Sequence, residues 1–297
     1  MKLKFFLLLA AFVFAGMRMQ AQVKILFNPA QGTTYTYRTV SDQKTAMSFG
    51  GQEMVTNSVM EMLTEMRVKT KSASETSLDY TIKEIVMSSS NPMMSYKVDT
   101  KNKAGSASEV EKLMFNLMEC LIGKTLQVVI APDGAVKTLT GYSAISDCMQ
   151  KLLAAGGNEA QMANMTIQQF NETAIKNNLE QTFKIYPNKD VKAGDNWSTE
   201  NSQATNMNTT NTKNTYSLKS LNNDIALIDV VTNITMKPGG GMEGEMKGEQ
   251  KGEMRLNVKT GMPVQTSGSG TIKGKFSGQG GEVSLEVTTK SSYTLQQ

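Results

Sequence analysis

The sequence predicts an α+β chain that is mainly β, with long antiparallel strands forming a curved sheet or half-barrel around a helical insert. Three observations carry this reading. Apolar and polar residues alternate at a period of two in both outer parts of the chain. Between about residues 106 and 177 the spacing of apolar residues changes to three and four. Gly- and Asn-centred turns break the alternating stretches at hairpin spacing.

The chain opens with Lys2 and Lys4, an apolar run from Phe5 to Ala15, and a short polar stretch ending in Gln20-Ala21-Gln22. That order is expected of a secretory signal. The apolar run is shorter than the roughly 17–25 residues a membrane-spanning helix needs. The expectation is signal cleavage after Ala21, export to the periplasm or extracellular space, and no transmembrane segment in the remainder. Residues 22–297 then form a single β-rich domain. Weak self-similarity, GTTY at 32–35 against GDNW at 194–197, suggests two related halves, 22–105 and 178–297, around the insert at 106–177.

Residues 33–49 are rich in Thr and carry Tyr35, Tyr37 and Val40, and Gly50-Gly51 follows. In residues 52–71, Met60, Met62, Met66 and Val68 alternate with Glu61, Glu65, Arg67 and Lys69. Glu, Met and Leu favour helix, but the alternation and the Thr/Val content predict a strand. A turn at 72–75 leads to Leu78, Tyr80 and Ile82, again alternating, and Tyr96 and Val98 mark a short further strand.

Val110, Leu113, Met114, Leu117, Met118 and Leu121 then recur at helical spacing, with Ser106 or Ser108 as cap and Gly123 as stop. Pro132-Asp133-Gly134 centres a hairpin. Further helices are expected over about 142–155 and 158–177. Strands return from Leu179, with turns at 187–190 and Gly194-Asp195 and a hairpin at Asn222-Asn223-Asp224. The polar tract at 201–215 reads as a solvated strand, and the glycine-punctuated tract at 239–255 as an exposed strand or loop. Its glycines lack phosphate-loop spacing. Turns at 259–261 and 278–281 separate the last strands.

Composition excludes more than it assigns. The chain has no histidine, which removes the commonest general base, the commonest metal ligand and every Ser-His or Cys-His pair. Two cysteines cannot build a four-cysteine zinc site. Loss of Lys2, Lys4 and Arg18 with the signal leaves 28 basic against 27 acidic residues, a net charge of +1, with no electrostatic footprint for nucleic acid. No cofactor is expected. The 22 methionines follow strand and helix periods, which suits an adaptable apolar surface better than a thioether copper site. Trp197 reads as a buried anchor at a strand start, and Asp195 as a turn cap.

The QAQ ending of the signal, Gly32 with Tyr35 and Tyr37, the APDGAV hairpin at 131–136 and YPNKDVKAGDNW at 186–197 together resemble an uncharacterised family of exported Bacteroidota proteins, a domain of unknown function. The resemblance supplies no activity and no catalytic residues. The long-strand meander with helices is also similar in architecture to LolA- and LolB-type lipoprotein carriers.

The functional expectation is a non-enzymatic periplasmic binding or carrier protein for a hydrophobic, lipid-like ligand. The alternative is a structural or interaction protein of the cell envelope. The candidate apolar groove lies between the N-terminal strands, through Met60, Met62, Met66, Leu78, Tyr80 and Ile82, and the first helix, through Leu113, Met114, Leu117 and Leu121. Partners are a hydrophobic small molecule or an envelope protein. Cys120 and Cys148 are the candidate disulfide, because exported proteins meet an oxidising compartment.

Overall fold

A computed structural model describes residues 22–102, 108–154, 167, 170–204, 208–239, 242–278 and 281–296. The signal sequence with its cut after Ala21, Ser106 as a cap and most of the helix expected over 158–177 lie outside the described residues.

The described strands form one twelve-stranded antiparallel sheet. They are β1 (Thr34–Phe49), β2 (Gln52–Lys71), β3 (Thr76–Ser90), β4 (Ser95–Asp99), β5 (Thr125–Ile130), β6 (Val136–Thr140), β7 (Asn196–Ala204), β8 (Asn208–Asn222), β9 (Ile225–Pro238), β10 (Glu243–Asn257), β11 (Pro263–Gly278) and β12 (Gly281–Gln296). The spatial order is β6-β5-β3-β2-β1-β12-β11-β10-β9-β8-β7, with β4 beside the far end of β3. The first and last long strands are therefore neighbours at the centre of the sheet.

Among the described residues three helices are inserted: α1 (Glu109–Glu119), α2 (Ser143–Leu153) and α3 (Glu172–Phe183). Ser108 caps α1 in a capping box with Glu111. Asn171 caps α3 through the amide of Ala174. The third helix runs to Phe183, not only to Asn177, so the chain is still helical at Leu179, where the sequence suggested a strand. Ile175, Leu179 and Phe183 are four residues apart and all buried, so one apolar stripe carries the helix on for a further turn and a half. The 201–215 tract is strand over its described residues, and the 239–255 tract is strand from Glu243.

The hairpin at Pro132-Asp133-Gly134 shows why its glycine is needed. Gly134 sits at φ +85°, and a Cβ there would lie 1.7 Å from the Phe183 carbonyl oxygen. Asp133 accepts from the amide of Ala135. Likewise Asp195 accepts from the amide of Lys192. Trp197, half-buried, donates its indole N–H to the Ile185 carbonyl at 2.8 Å.

One end of one sheet face is filled by the core. Segments 23–27 and 183–191 cross it, joined by the Val23–Val191 bridge, with Phe27 edge-on to Phe183. They are buried together with Met66, Leu78, Tyr216, Ile228 and Met254 from both flanks of the sheet. Cys120, at the end of α1, is bridged to Cys148 of α2, so the two helices are tied across the β5–β6 hairpin. No helix among the described residues is long and apolar enough to cross a membrane.

Candidate functional site

The sequence-derived groove residues divide in two. Met66, Leu78, Ile82, Met114, Leu117 and Leu121 are buried, none more than 6% exposed. Met62, Tyr80 and Leu113 are partly buried and pack against them. Here helices and sheet close into a dry core, because α1 lies directly over this end of the strands. The expected groove is thus displaced. Met60, half-buried, marks where the covered region gives way to open face.

Beyond that point no described helix covers the same face. A sixteen-residue strand such as β1 spans about 50 Å. A helix of eleven or twelve residues spans only about 17 Å. The described helices α1 and α3 meet β4 and β6, short strands on the β3 side of the sheet.

The register makes the open face readable. Residues paired directly across antiparallel strands point to the same side, so each residue of β1 defines a row across the sheet. Gln43 pairs with Ser58 and Thr289, Ser58 with Ser89, Thr289 with Gly270, Gly270 with Gln250, Gln250 with Thr232, Thr232 with Asn214, and Asn214 with Thr199. This row crosses nine strands and is a belt of hydroxyls and carboxamides on eight of them, interrupted by Gly270 on β11. Several of its groups bond one another. Ser58 and Ser89 hydroxyls lie 3.2 Å apart. Thr232 donates to Asn214 at 2.7 Å, while Gln43 donates out of the row to Thr45 at 3.1 Å.

Outward from the belt, the row through Thr45 carries Val287, Ile272 and Ile234 among Thr56, Thr212 and Asn201, and the row through Met47 carries Met54, Leu285, Met236 and the buried Met246, with Thr210 beyond them. Phe49, Val283 and Phe276 form the rim. Phe49 is 48% exposed. Gln203 lies at the β7 end of the Met47 row, and its Nε2 is buried without a hydrogen-bond partner.

From the Tyr37 row to the Phe49 row, no described strand position on this face is Asp, Glu, Lys or Arg. The charged residues of these strands point to the other face, in pairs such as Arg38–Glu61, Lys213–Glu200 and Lys275–Glu282. In β10 the division is complete: Glu and Lys alternate outward, while Gly244, Met246, Gly248, Gln250, Gly252 and Met254 face inward. Along β7, and along β10 from Met246 to Leu256, the inward residues are less exposed than the outward ones even where no described helix covers them. The sheet therefore curls toward this face. Glycines make the curl possible where β10 meets β11. A Cβ on Gly270 would lie 2.2 Å from the Glu249 carbonyl oxygen, and one on Gly248 2.2 Å from that of Thr271.

Two surface clefts lie elsewhere. One, about 440 Å³, is bounded by Phe27, Lys71, Thr76 and Pro132. The other, about 340 Å³, lies mostly among outward-facing residues, where Ala46, Ser48 and Ser284 leave a depression between Glu53, Lys273, Lys275 and Glu286. Neither has convergent chemistry. Among the described residues no three His, Cys, Asp or Glu side chains group to hold a metal ion. Burial raises the phenols of Tyr37, Tyr186 and Tyr293 well above the ordinary tyrosine value, and that of Tyr80 to about 12. These hydroxyls belong to the core. The candidate site is thus the uncharged open face itself. Sequence reasoning missed its position because the pairing of rows depends on register across strands far apart in the chain.

A pattern that defines a family of unknown function, DUF6263, matches residues 73–263, well over half of the chain. The chain belongs to that family. No curated protein matches it. Among solved structures it has a weak resemblance to lipovitellin, described for its lipid–protein interactions. The identity there is 10% and the TM-score 0.47, over 91% of this chain and 25% of that one. The chain thus spans only a quarter of the lipovitellin chain. The Pseudomonas aeruginosa protein OccK5 aligns at 5% identity and TM-score 0.23, over 91% of this chain and all of the other. OccK2 of the same organism, in complex with glucuronate, aligns at 7% and 0.23, over 91% and 100%.

Proposed function

We propose that this DUF6263 protein is an exported, non-enzymatic binding or carrier protein that holds a hydrophobic, lipid-like ligand on the inward face of its sheet. The observation that carries the reading is the apolar band beyond the helices. Met47, Met54, Ile234, Met236, Ile272 and Leu285 are partly exposed and share one charge-free face that no described helix covers. Contiguous exposed apolar surface of more than a few hundred Å² marks a binding site, and unbranched Met side chains repack around ligands of varied shape. The chain's lack of histidine and its signal-like first residues support the non-enzymatic and exported parts of the reading.

The test has two parts. Mass spectrometry of an organic extract of the natively purified protein should find co-purified lipid. A hydrophobic fluorescent dye should bind the wild type, and Met47→Glu or Leu285→Lys should abolish that binding with the melting temperature little changed. A wild type that binds no dye and carries no lipid overturns the proposal. If instead the same substitutions break up a self-associated form, the face is an interface of an envelope assembly.

A further inference from the structure

We infer that the belt through Gln43, Ser58, Gln250, Thr232 and Asn214 is the polar subsite of this face, and that the ligand is an uncharged amphiphile bearing hydroxyl, ester or amide groups. The inference rests on the binding reading above and specifies its substrate class.

The belt lies between the apolar core and an uncharged outer band in which Met, Ile, Leu and Val side chains are interspersed with threonines. On one side lies the helix-covered core, and on the other the Met47 and Thr45 rows. A purely hydrocarbon ligand has no use for a line of hydrogen-bonding groups across its path, because each costs desolvation when covered by alkyl chain. An amphiphile lying on the outer band places its polar group against this line. Carboxamides both donate and accept, as do hydroxyls, so the belt can pair with hydroxyl, ester or amide groups. Gln203 Nε2, buried and without a partner, supplies a donor beside the band.

Charge decides the headgroup class. A carboxylate or phosphate laid on this face leaves water and meets no cation, since Lys and Arg side chains of the surrounding strands lie on the opposite face. An ion without a partner in such a place is strongly disfavoured. A cationic headgroup meets no carboxylate for the same reason. Uncharged hydrogen-bonding groups fit both the donors present and the charges absent.

The experiment displaces bound hydrophobic dye with two lipids of identical acyl chains, dioctanoylglycerol and dioctanoyl phosphatidic acid. The neutral lipid should displace dye at a concentration about tenfold or more below the anionic one. Asn214→Leu together with Gln250→Leu should raise the concentration of neutral lipid needed by about tenfold, corrected for the double variant's own measured dye affinity. Thr232→Lys, which places a cation in the belt, should move the preference toward the phosphate. Equal or stronger displacement by the anion in the wild type overturns the assignment while leaving hydrophobic binding standing. So does a double variant with unchanged neutral-lipid affinity. A wild type that binds neither dye nor lipid overturns both readings.

Discussion

Tyr37 stacks on Tyr293 with ring centroids 4.2 Å apart and planes 11° from parallel, and its hydroxyl donates to the Pro263 carbonyl at 2.8 Å. One side chain from the first strand thus ties together the last strand and the start of β11, 226 residues away. Tyr37 is fully buried, so Tyr37→Phe keeps the stack and leaves the Pro263 carbonyl without its partner. The expected loss is about 1–3 kcal/mol, measured by denaturant unfolding. Tyr37→Leu should cost more, since an offset aromatic pair adds about 0.5–1.5 kcal/mol beyond its area.

The buried tyrosines set an alkaline limit. Burial lifts the phenols of Tyr37, Tyr80, Tyr186 and Tyr293, with Tyr80 at about 12. A group whose folded pKa lies above its unfolded value contributes stability that is complete below the unfolded value, near 10, and is lost as pH rises toward the folded one. Stability should therefore be flat with respect to these groups below about pH 10 and fall between about 10 and 12. Absorbance at 295 nm should show a late group of phenols ionising together with loss of near-ultraviolet circular dichroism. Free ionisation of all tyrosines near pH 10 in the folded protein would contradict the burial.

Two glycines of β11 should differ. A Cβ at Gly270 meets the Glu249 carbonyl oxygen at 2.2 Å, whereas one at Gly268 meets the Lys251 carbonyl oxygen at 3.2 Å. Gly270→Ala should destabilise by about 1–3 kcal/mol or more, and Gly268→Ala by less. Thermal unfolding of the pair reads the difference directly, and equal effects would place the curl elsewhere.

The boundary between core and open face can be read along one strand. Met66 is 1% exposed, whereas Met54 lies in the uncovered band. Met66→Ala should cost about 2–5 kcal/mol, and Met54→Ala about 0.5 kcal/mol or less. A large loss at Met54 would mean the outer face is packed in solution.

The bridge between Cys120 and Cys148 closes a separation of 28 residues. Its removal in a Cys120→Ala, Cys148→Ala double variant should cost about 3 kcal/mol through the unfolded chain's regained freedom. Titration of the denatured, unreduced protein should find no free thiol. Both residues lie in helical patterns flanking a hairpin, but their pairing becomes geometry only when α1 and α2 pack side by side.

Sequence alone determined the class of each segment here. Strict alternation from Met60 to Lys69 means a strand with one apolar face, and recurrence from Val110 to Leu121 means an amphipathic helix, because backbone geometry fixes periods of two and 3.6. The positions of Gly50-Gly51, Gly134 and Asn223 announced turns, since positive φ is costly for most other residues. Tertiary structure decided which rows meet. Lys83 bulges out of β3, so that Ile82 and Ile85 point to the same side although three residues apart. Gln43 lines up with Asn214 only through the registers of five strand pairs, none of which is written locally. The helical stripe of Leu113, Met114 and Leu117 was legible, but what it covers was not, because a periodic pattern fixes which face is apolar and leaves open which surface meets it. Packing sent that stripe to one end of the sheet, and so left the uncharged far end as the candidate site.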